Sequence, residues 1–144
     1  MGAFKIFRVG GCEMTKEEMY NYIRENLPEI AEKVDAQIAW LDGDDDVLHI
    51  VIGGPFIDFL KEMMRQEWGD QDRQLMQRVF ELFDKMICDD VKVSDVLYSA
   101  IIDYIVTEPN MVDIYWEYMS EELRVKARAI YYQTTGKKLV TPAV

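Results

Sequence analysis

Four carboxylates crowd the segment DGDDD, which begins at Asp42. Asp42, Asp44 and Asp46 have the spacing of the first three ligands of an EF-hand calcium loop. That loop also requires Gly at position 6 and Glu at position 12, where this chain has Val47 and Gly53. The segment is therefore not an EF-hand, and we expect a solvated acidic loop without a bound metal.

The other residues able to do chemistry complete no catalytic motif. His49 is the only histidine, so no site that needs two imidazoles can form. The glycines at 53–54 precede a helix but lack the Lys-Ser/Thr of a phosphate-binding loop. Cys12 and Cys88 are far apart without a CxxC partner, which is typical of reduced thiols. The sequence thus predicts a non-enzymatic protein with no catalytic residues and no cofactor.

The charge distribution points to a class of partner. The net charge is −11; residues 42–90 are strongly acidic, whereas the charged residues of 124–144 are all basic. A negative field repels nucleic acid and anionic lipid but attracts basic proteins. We therefore expect a basic protein partner, no nucleic acid and no membrane. A charge that only maintains solubility is the alternative.

Two kinds of residue are candidates for binding such a partner. Carboxylates would steer the association and pair with Lys or Arg, and tryptophans would supply buried anchors. The tryptophans can equally be explained as core residues at helical spacing. The candidate carboxylates are Asp42, Asp44, Asp45, Asp46, Asp89, Asp90 and Asp95, and the candidate anchors are Trp68 and Trp116.

Helix signals cover most of the chain. Thr15 and Glu18 form a capping box, and Pro28 either ends that helix or begins the next. Later signals predict a helix from Pro55 to Trp68, a long one capped by Asp70 or Asp72, one capped by Ser94, and a last one from Ser120 to Gly136. The long helix carries a wide apolar stripe that includes Phe80. These signals predict a mostly α fold of six or seven helices in antiparallel hairpins.

One segment, residues 47–52, has the composition of a strand rather than of a helix. Residues 47–52 are rich in β-branched side chains, as strands are, and residues 4–9 are the other strand-like segment. A two-stranded pairing of 4–9 with 47–52 is therefore one alternative, and an extended segment packed on helices is the other.

The length predicts a single helical domain over residues 14–144. Residues 1–13 lack a capping signal and a helical period, so they are interpreted either as an N-terminal extension, such as a translated leader, or as an edge strand. No signal peptide and no apolar stretch of about 20 residues is found, so we expect a cytoplasmic protein.

Five short segments carry a resemblance to known proteins: Leu27–Ile30, Pro55–Leu60, Arg78–Asp84, Asp103–Ile105 and Tyr118–Ser120. With these segments the chain resembles a broad group of small, acidic, helical bacterial proteins, some uncharacterised and some immunity proteins of toxin systems. The resemblance covers about residues 14–130, although Leu82 stands where Phe is expected and Asp84 where Glu is expected. It implies a helical fold and the neutralisation of a basic toxin, often a nuclease, by occlusion. A helical scaffold that binds a peptide helix in a hairpin groove is the other function considered.

Overall fold

A computed structural model describes residues 14–108 and 110–141. Over this part of the chain the fold is mostly α, with seven continuous helical units and no strand, which confirms the expected fold class. The pairing partner proposed for a strand, residues 4–9, lies outside the described residues, as do Cys12 and the rest of 1–13. The elements are α1 (Lys16–Asn26), α2 (Pro28–Trp40), α3 (Gly54–Met63), α4 (Asp70–Lys85), α5 (Val91–Asp95), α6 (Asp103–Thr107), α7 (Met111–Tyr115) and α8 (Glu121–Thr135).

Two π-helical segments interrupt this pattern. π1 (His49–Gly53) runs directly into α3, and π2 (Val96–Ile102) joins α5 to α6. The two segments pack against each other. Gly53 lets them approach, because a Cβ built at this position would lie 3.1 Å from the Cβ of Ala100. A short 3₁₀ turn, Trp116–Tyr118, follows α7.

The helix caps follow the predicted signals closely at both ends of the chain. The Thr15 hydroxyl accepts the Glu18 amide, and Glu18 accepts the Thr15 amide in return. Ser120 caps α8 by accepting the Leu123 amide, and α8 ends at Gly136 with a φ of 75°. Pro28 begins α2 rather than only ending α1.

Three predicted helix boundaries need correction. The predicted Pro55–Trp68 helix starts earlier, in π1, and ends at Met63. Gly69 is the N-cap of α4, and its amide donates to the Asp72 carboxylate at 3.0 Å. Asp90, not Ser94, caps α5.

The predicted strand at residues 47–52 is wrong. Leu48, Val51 and Ile52 are buried, and their spacing places them on one face of a helix, while His49 and Ile50 face solvent. The amides of Ile50 and Val51 both donate to the Val47 carbonyl at 3.0 Å, so the backbone bonds are satisfied locally. Burial against neighbouring helices outweighs the β-branched composition of this segment.

The core is one continuous apolar cluster in which α4 is central. The predicted stripe of α4 is buried, and Phe80 is only 2% exposed. Phe80 packs edge-on against Phe83, with ring centres 4.9 Å apart, and stacks on Tyr115 at 5.8 Å. The Tyr115 hydroxyl donates to the Leu60 carbonyl at 2.6 Å, which ties α7 to α3. Among the described helices, none is both long and apolar enough to cross a membrane.

Candidate functional site

The loop between α2 and π1 carries the first group of candidate carboxylates. It leaves α2 through a left-handed turn at Asp42 and Gly43, with φ of 57° and 86°. Asp42 and Asp44 are exposed. The Asp44 carboxylate accepts the Asp46 amide at 3.0 Å, so the loop is held by its own side chain and backbone.

Lys16 anchors this loop to the start of α1. Its ammonium lies 3.1 Å from the Asp45 carboxylate and 2.6 Å from the Asp46 carboxylate. The hydrogen bond from Lys16 holds the pKa of Asp46 below its usual range, and the bonds to Asp46 and Asp45 raise the pKa of Lys16. The Asp45 and Asp46 side chains remain 47% and 64% exposed, so this single cation leaves both accessible.

Tyr20 of α1 also holds the loop in place. Its hydroxyl donates to the Asp45 carbonyl at 2.9 Å. Burial, followed by the charge of Asp45, raises the pKa of Tyr20 to about 12. Tyr20 is only 5% exposed, so the loop rests on a buried residue of α1.

The second group of carboxylates lies at and around α5. Asp90 accepts the amides of Lys92 and Val93, at 3.0 and 3.4 Å, and so caps the helix. Asp95 accepts the Ser99 hydroxyl at 2.9 Å. Asp89 is exposed beside Asp90. Asp90 and Asp95 thus have structural roles as well as charge.

The structure brings the two groups together. The Nε2 atom of His49 in π1 lies 3.6 Å from the Asp95 carboxylate of α5. The charge of Lys92 also contributes to lowering the pKa of Asp46, after the larger effect of Lys16. The loop and α5 therefore adjoin on one surface. We call this surface the acidic face and define it by Asp44, Asp45, Asp46, Asp90 and Asp95.

Neither predicted tryptophan anchor belongs to the acidic face. Trp116 is only 3% exposed, which makes its assignment as an exposed anchor wrong. The guanidinium groups of Arg124 and Arg128 each lie 5.2 Å from its ring centre and cover it. Trp68 is half-buried: it stacks on Tyr115 at 5.9 Å, and its indole N–H donates to the Met63 carbonyl at 2.7 Å. Both side chains close the core around α7 instead.

Sequence reasoning missed Trp40, which is 79% exposed at the end of α2. It lines an open cleft of about 460 Å³ between α2 and the start of α3. The signal was in the sequence, because Trp40 lies off the apolar stripe formed by Ile30, Val34 and Ile38. The cleft is lined by Lys33, Ala36, Gln37, Trp40, Pro55 and Asp58.

Cys88 lies beside the acidic face and is partly buried. Its thiol lies 3.5 Å from the Met14 carbonyl and 3.8 Å from that of Asp90. Burial is the main cause that raises the pKa of this thiol. Over residues 14–108 and 110–141, no group of three or more His, Cys, Asp or Glu side chains is arranged to hold a metal ion.

Over the residues that the structure describes, fold and surface together define a mostly α protein with a strongly acidic face. The chain belongs to the family described as Domain of unknown function (DUF7674), whose model matches residues 20–134. The matched part begins within α1 and ends within α8, so it contains the acidic face, the Trp40 cleft and the aromatic core. No curated protein and no solved structure gives a significant match.

Proposed function

We propose that this chain is a non-enzymatic, cytoplasmic binding protein of the immunity or antitoxin type, which occludes a basic partner such as a nuclease toxin. The observation that carries the proposal is the acidic face, where carboxylates distant in sequence adjoin on one surface. The resemblance of the chain's short segments to bacterial immunity proteins of toxin systems supports the same function. Family membership is neutral, since the family has no known function.

The electrostatics of the acidic face suit a basic partner. Lys16 and Lys92 both lower the pKa of Asp46, and the five carboxylates of the acidic face outnumber these two lysines. A surface of net negative charge, on a chain with net charge −11, accelerates association with a cationic protein, and added salt weakens this acceleration. A nuclease presents such a cationic surface where it binds phosphate. Covering it would block its substrate.

Exposed apolar side chains at the acidic face can add short-range contacts. Val91 is 75% exposed next to Asp90, and Ile50 is 44% exposed next to His49. Apolar groups within a charged surface supply the contact energy that charge alone does not. In this proposal Val91 and Ile50 take the anchoring role predicted for Trp68 and Trp116, which pack around α7 instead.

The test combines Asp44→Asn, Asp45→Asn and Asp46→Asn in one variant. The assay partner is an inactivated basic toxin, and a toxin gene beside the gene for this chain would be its natural source. We expect the variant to associate about tenfold more slowly at low salt and to show a flatter salt dependence. Its melting temperature should change little, because Asn retains a hydrogen-bond acceptor for Lys16 and the Asp45 and Asp46 carboxylates of these ion pairs are about half exposed or more.

A matched control carries Glu25→Gln, Glu29→Gln and Glu32→Gln, which removes the same charge from exposed positions. The Arg24–Asp35 ion pair and the Lys16 contacts to the loop show that α1 and α2 run antiparallel. The control residues therefore lie at the opposite end of this hairpin from the acidic loop. If both variants slow association equally, the effect comes from net charge alone, and the proposal that the acidic face is the binding surface is refuted.

The Trp40 cleft supports a second candidate function, a scaffold or regulatory module that binds a peptide helix. Trp40 and Pro55 offer apolar contact, and Lys33 and Asp58 offer one charge of each sign. Trp40 fluorescence can be used to screen amphipathic helical peptides, with Trp40→Phe to identify the responding residue. A binder whose affinity depends on Trp40 but not on the triple Asn substitution would favour this second function.

A further inference from the structure

The thiol of Cys88 lies beside the first residue that the structure describes. Cys88 stands on the link between α4 and α5, and its Sγ atom is 3.5 Å from the Met14 carbonyl oxygen. Both side chains are partly buried and pack against the core cluster. The capping box of Thr15 and Glu18 follows at once, so the fold itself holds the backbone at Met14 next to Cys88.

The second cysteine, Cys12, precedes Met14 by two residues. It lies outside the described residues, but the length of the chain limits how far its Cα atom can be from that of Met14. Two residues of fully extended chain span about 7 Å, and a disulfide joins Cα atoms that are about 4.4–6.8 Å apart. The Cys12 thiol can therefore reach Cys88 while the described backbone stays in place.

We infer that Cys12 and Cys88 form an intramolecular disulfide when the chain is oxidised, and that this bond fastens the segment before Met14 to the α4–α5 link. Under reducing conditions both residues remain thiols, because cytoplasmic glutathione keeps such pairs reduced and cytoplasmic disulfides are mostly transient or redox-sensing. The inference involves no binding partner, so it is independent of the proposed function.

Thiol–disulfide exchange with glutathione disulfide supplies the oxidation. One cysteine thiolate attacks glutathione disulfide, forms a mixed disulfide and releases one glutathione. The other cysteine thiolate then attacks the protein sulfur of the mixed disulfide and releases the second glutathione. The two protons and two electrons that the protein loses thus convert one glutathione disulfide into two glutathione molecules.

Proximity, rather than reactivity, favours this bond at Cys88. Burial is the main cause that raises the pKa of the Cys88 thiol. Because the thiolate is the reacting form, a raised pKa makes exchange at Cys88 slow near neutral pH. The equilibrium between dithiol and disulfide depends instead on how often the two sulfur atoms meet, and the short link to Met14 keeps them close.

Equilibration of the full chain in glutathione buffers, at low protein concentration, measures this equilibrium. Mass spectrometry after acid quenching identifies the internal bond by the loss of two hydrogen atoms, and peptide mapping identifies the two cysteines. We expect an effective concentration of the two thiols of at least about 1 mM, as for a short link between two sites. The matched control Cys12→Ser should form only a mixed disulfide between Cys88 and glutathione.

A displaced thiol tests the short reach. The variant with Ala3→Cys and Cys12→Ser keeps one cysteine before Met14 but places it eleven residues away instead of two. Effective concentration falls roughly as the −3/2 power of linker length, so the value should drop about tenfold. A displaced thiol as effective as Cys12, or a wild-type value below about 1 mM, would overturn the inference.

The melting temperature tests whether the bond fits the native fold. The disulfide closes a loop of about 75 residues in the unfolded chain, so the oxidised chain should melt about 5–10 °C higher than the reduced chain. Cys12→Ser under the same oxidising conditions should show no such rise. An oxidised wild-type chain that melts no higher than the reduced one would show that the bond distorts the fold, and would also overturn the inference.

Discussion

Two adjacent glycines give the sharpest test of the packing between the π-helical segments. Gly53 and Gly54 both have helical backbone angles, with φ of −57° and −58°. Alanine fits this backbone at Gly53, whereas at Gly54 the following Pro55 disfavours a helical residue that carries a Cβ. Their surroundings differ. A Cβ at Gly53 would lie 3.1 Å from the Ala100 Cβ and 3.7 Å from a Val96 methyl carbon, whereas a Cβ at Gly54 would have nothing within 4 Å.

These geometries predict different results for the two substitutions. Gly54→Ala should change the free energy of unfolding by less than about 1 kcal/mol, because the gain of about 0.5–1 kcal/mol from the lower backbone entropy loss of alanine is offset by the clash of its Cβ with Pro55. Gly53→Ala has the same gain, but it forces a contact shorter than the ordinary carbon separation of about 3.5–4.0 Å. Overpacking of this kind costs about 1–3 kcal/mol, so the net result should be a loss of about 1–2 kcal/mol.

Urea denaturation followed by circular dichroism measures both changes in the free energy of unfolding. A third variant, Gly53→Ala with Ala100→Gly, separates the close contact from other effects. The double variant should be about 1–2 kcal/mol more stable than the sum of the two single changes, because the competing Cβ is gone. A Gly53→Ala protein as stable as Gly54→Ala would show that π1 and π2 do not pack as described.

The remaining predictions concern the core and the pH dependence of stability. Phe80→Ala should cost about 3–5 kcal/mol, because the ring is buried between Phe83 and Tyr115; a loss under about 1 kcal/mol in urea denaturation would refute this placement. Asp46 and Asp84 should have opposite pH effects. The pKa of Asp46 is lowered by Lys16, so its stabilising contribution is present above the unfolded value of 3.8 and is lost as pH falls through the folded pKa. Burial raises the pKa of Asp84, so its protonation stabilises the fold as pH falls through the folded pKa towards 3.8. Denaturation of wild type, Asp46→Asn and Asp84→Asn between about pH 3 and 7 checks this, and slopes of the same sign in both differences from wild type would contradict it.

The sequence by itself determined the features that depend on near neighbours in the chain. The Thr15–Glu18 box, the Ser120 cap and the Gly136 end involve residues within one helical turn, so their geometry is set locally. The buried stripe of α4 was equally predictable, because one period places all its apolar residues on one side.

Tertiary structure decided what depends on distant partners. Residues 47–52 have the composition of a strand, but burial of Val51 and Ile52 against other helices makes the segment helical. Residue type alone does not tell which of Trp116 and Trp40 is buried and which is exposed. Two arginines of α8 cover Trp116, whereas Trp40 stays 79% exposed among the elements that the structure describes.

The acidic face likewise depends partly on the sequence alone and partly on the tertiary structure. The sequence identified its carboxylates, because three of them are consecutive at positions 44–46 and the other two lie at positions 90 and 95. Their assembly into one surface required Lys16 of α1 and the contact between His49 and Asp95, which join segments more than 25 residues apart. Charge can be counted along a chain, but the field it produces depends on distances that only the packing of the helices sets.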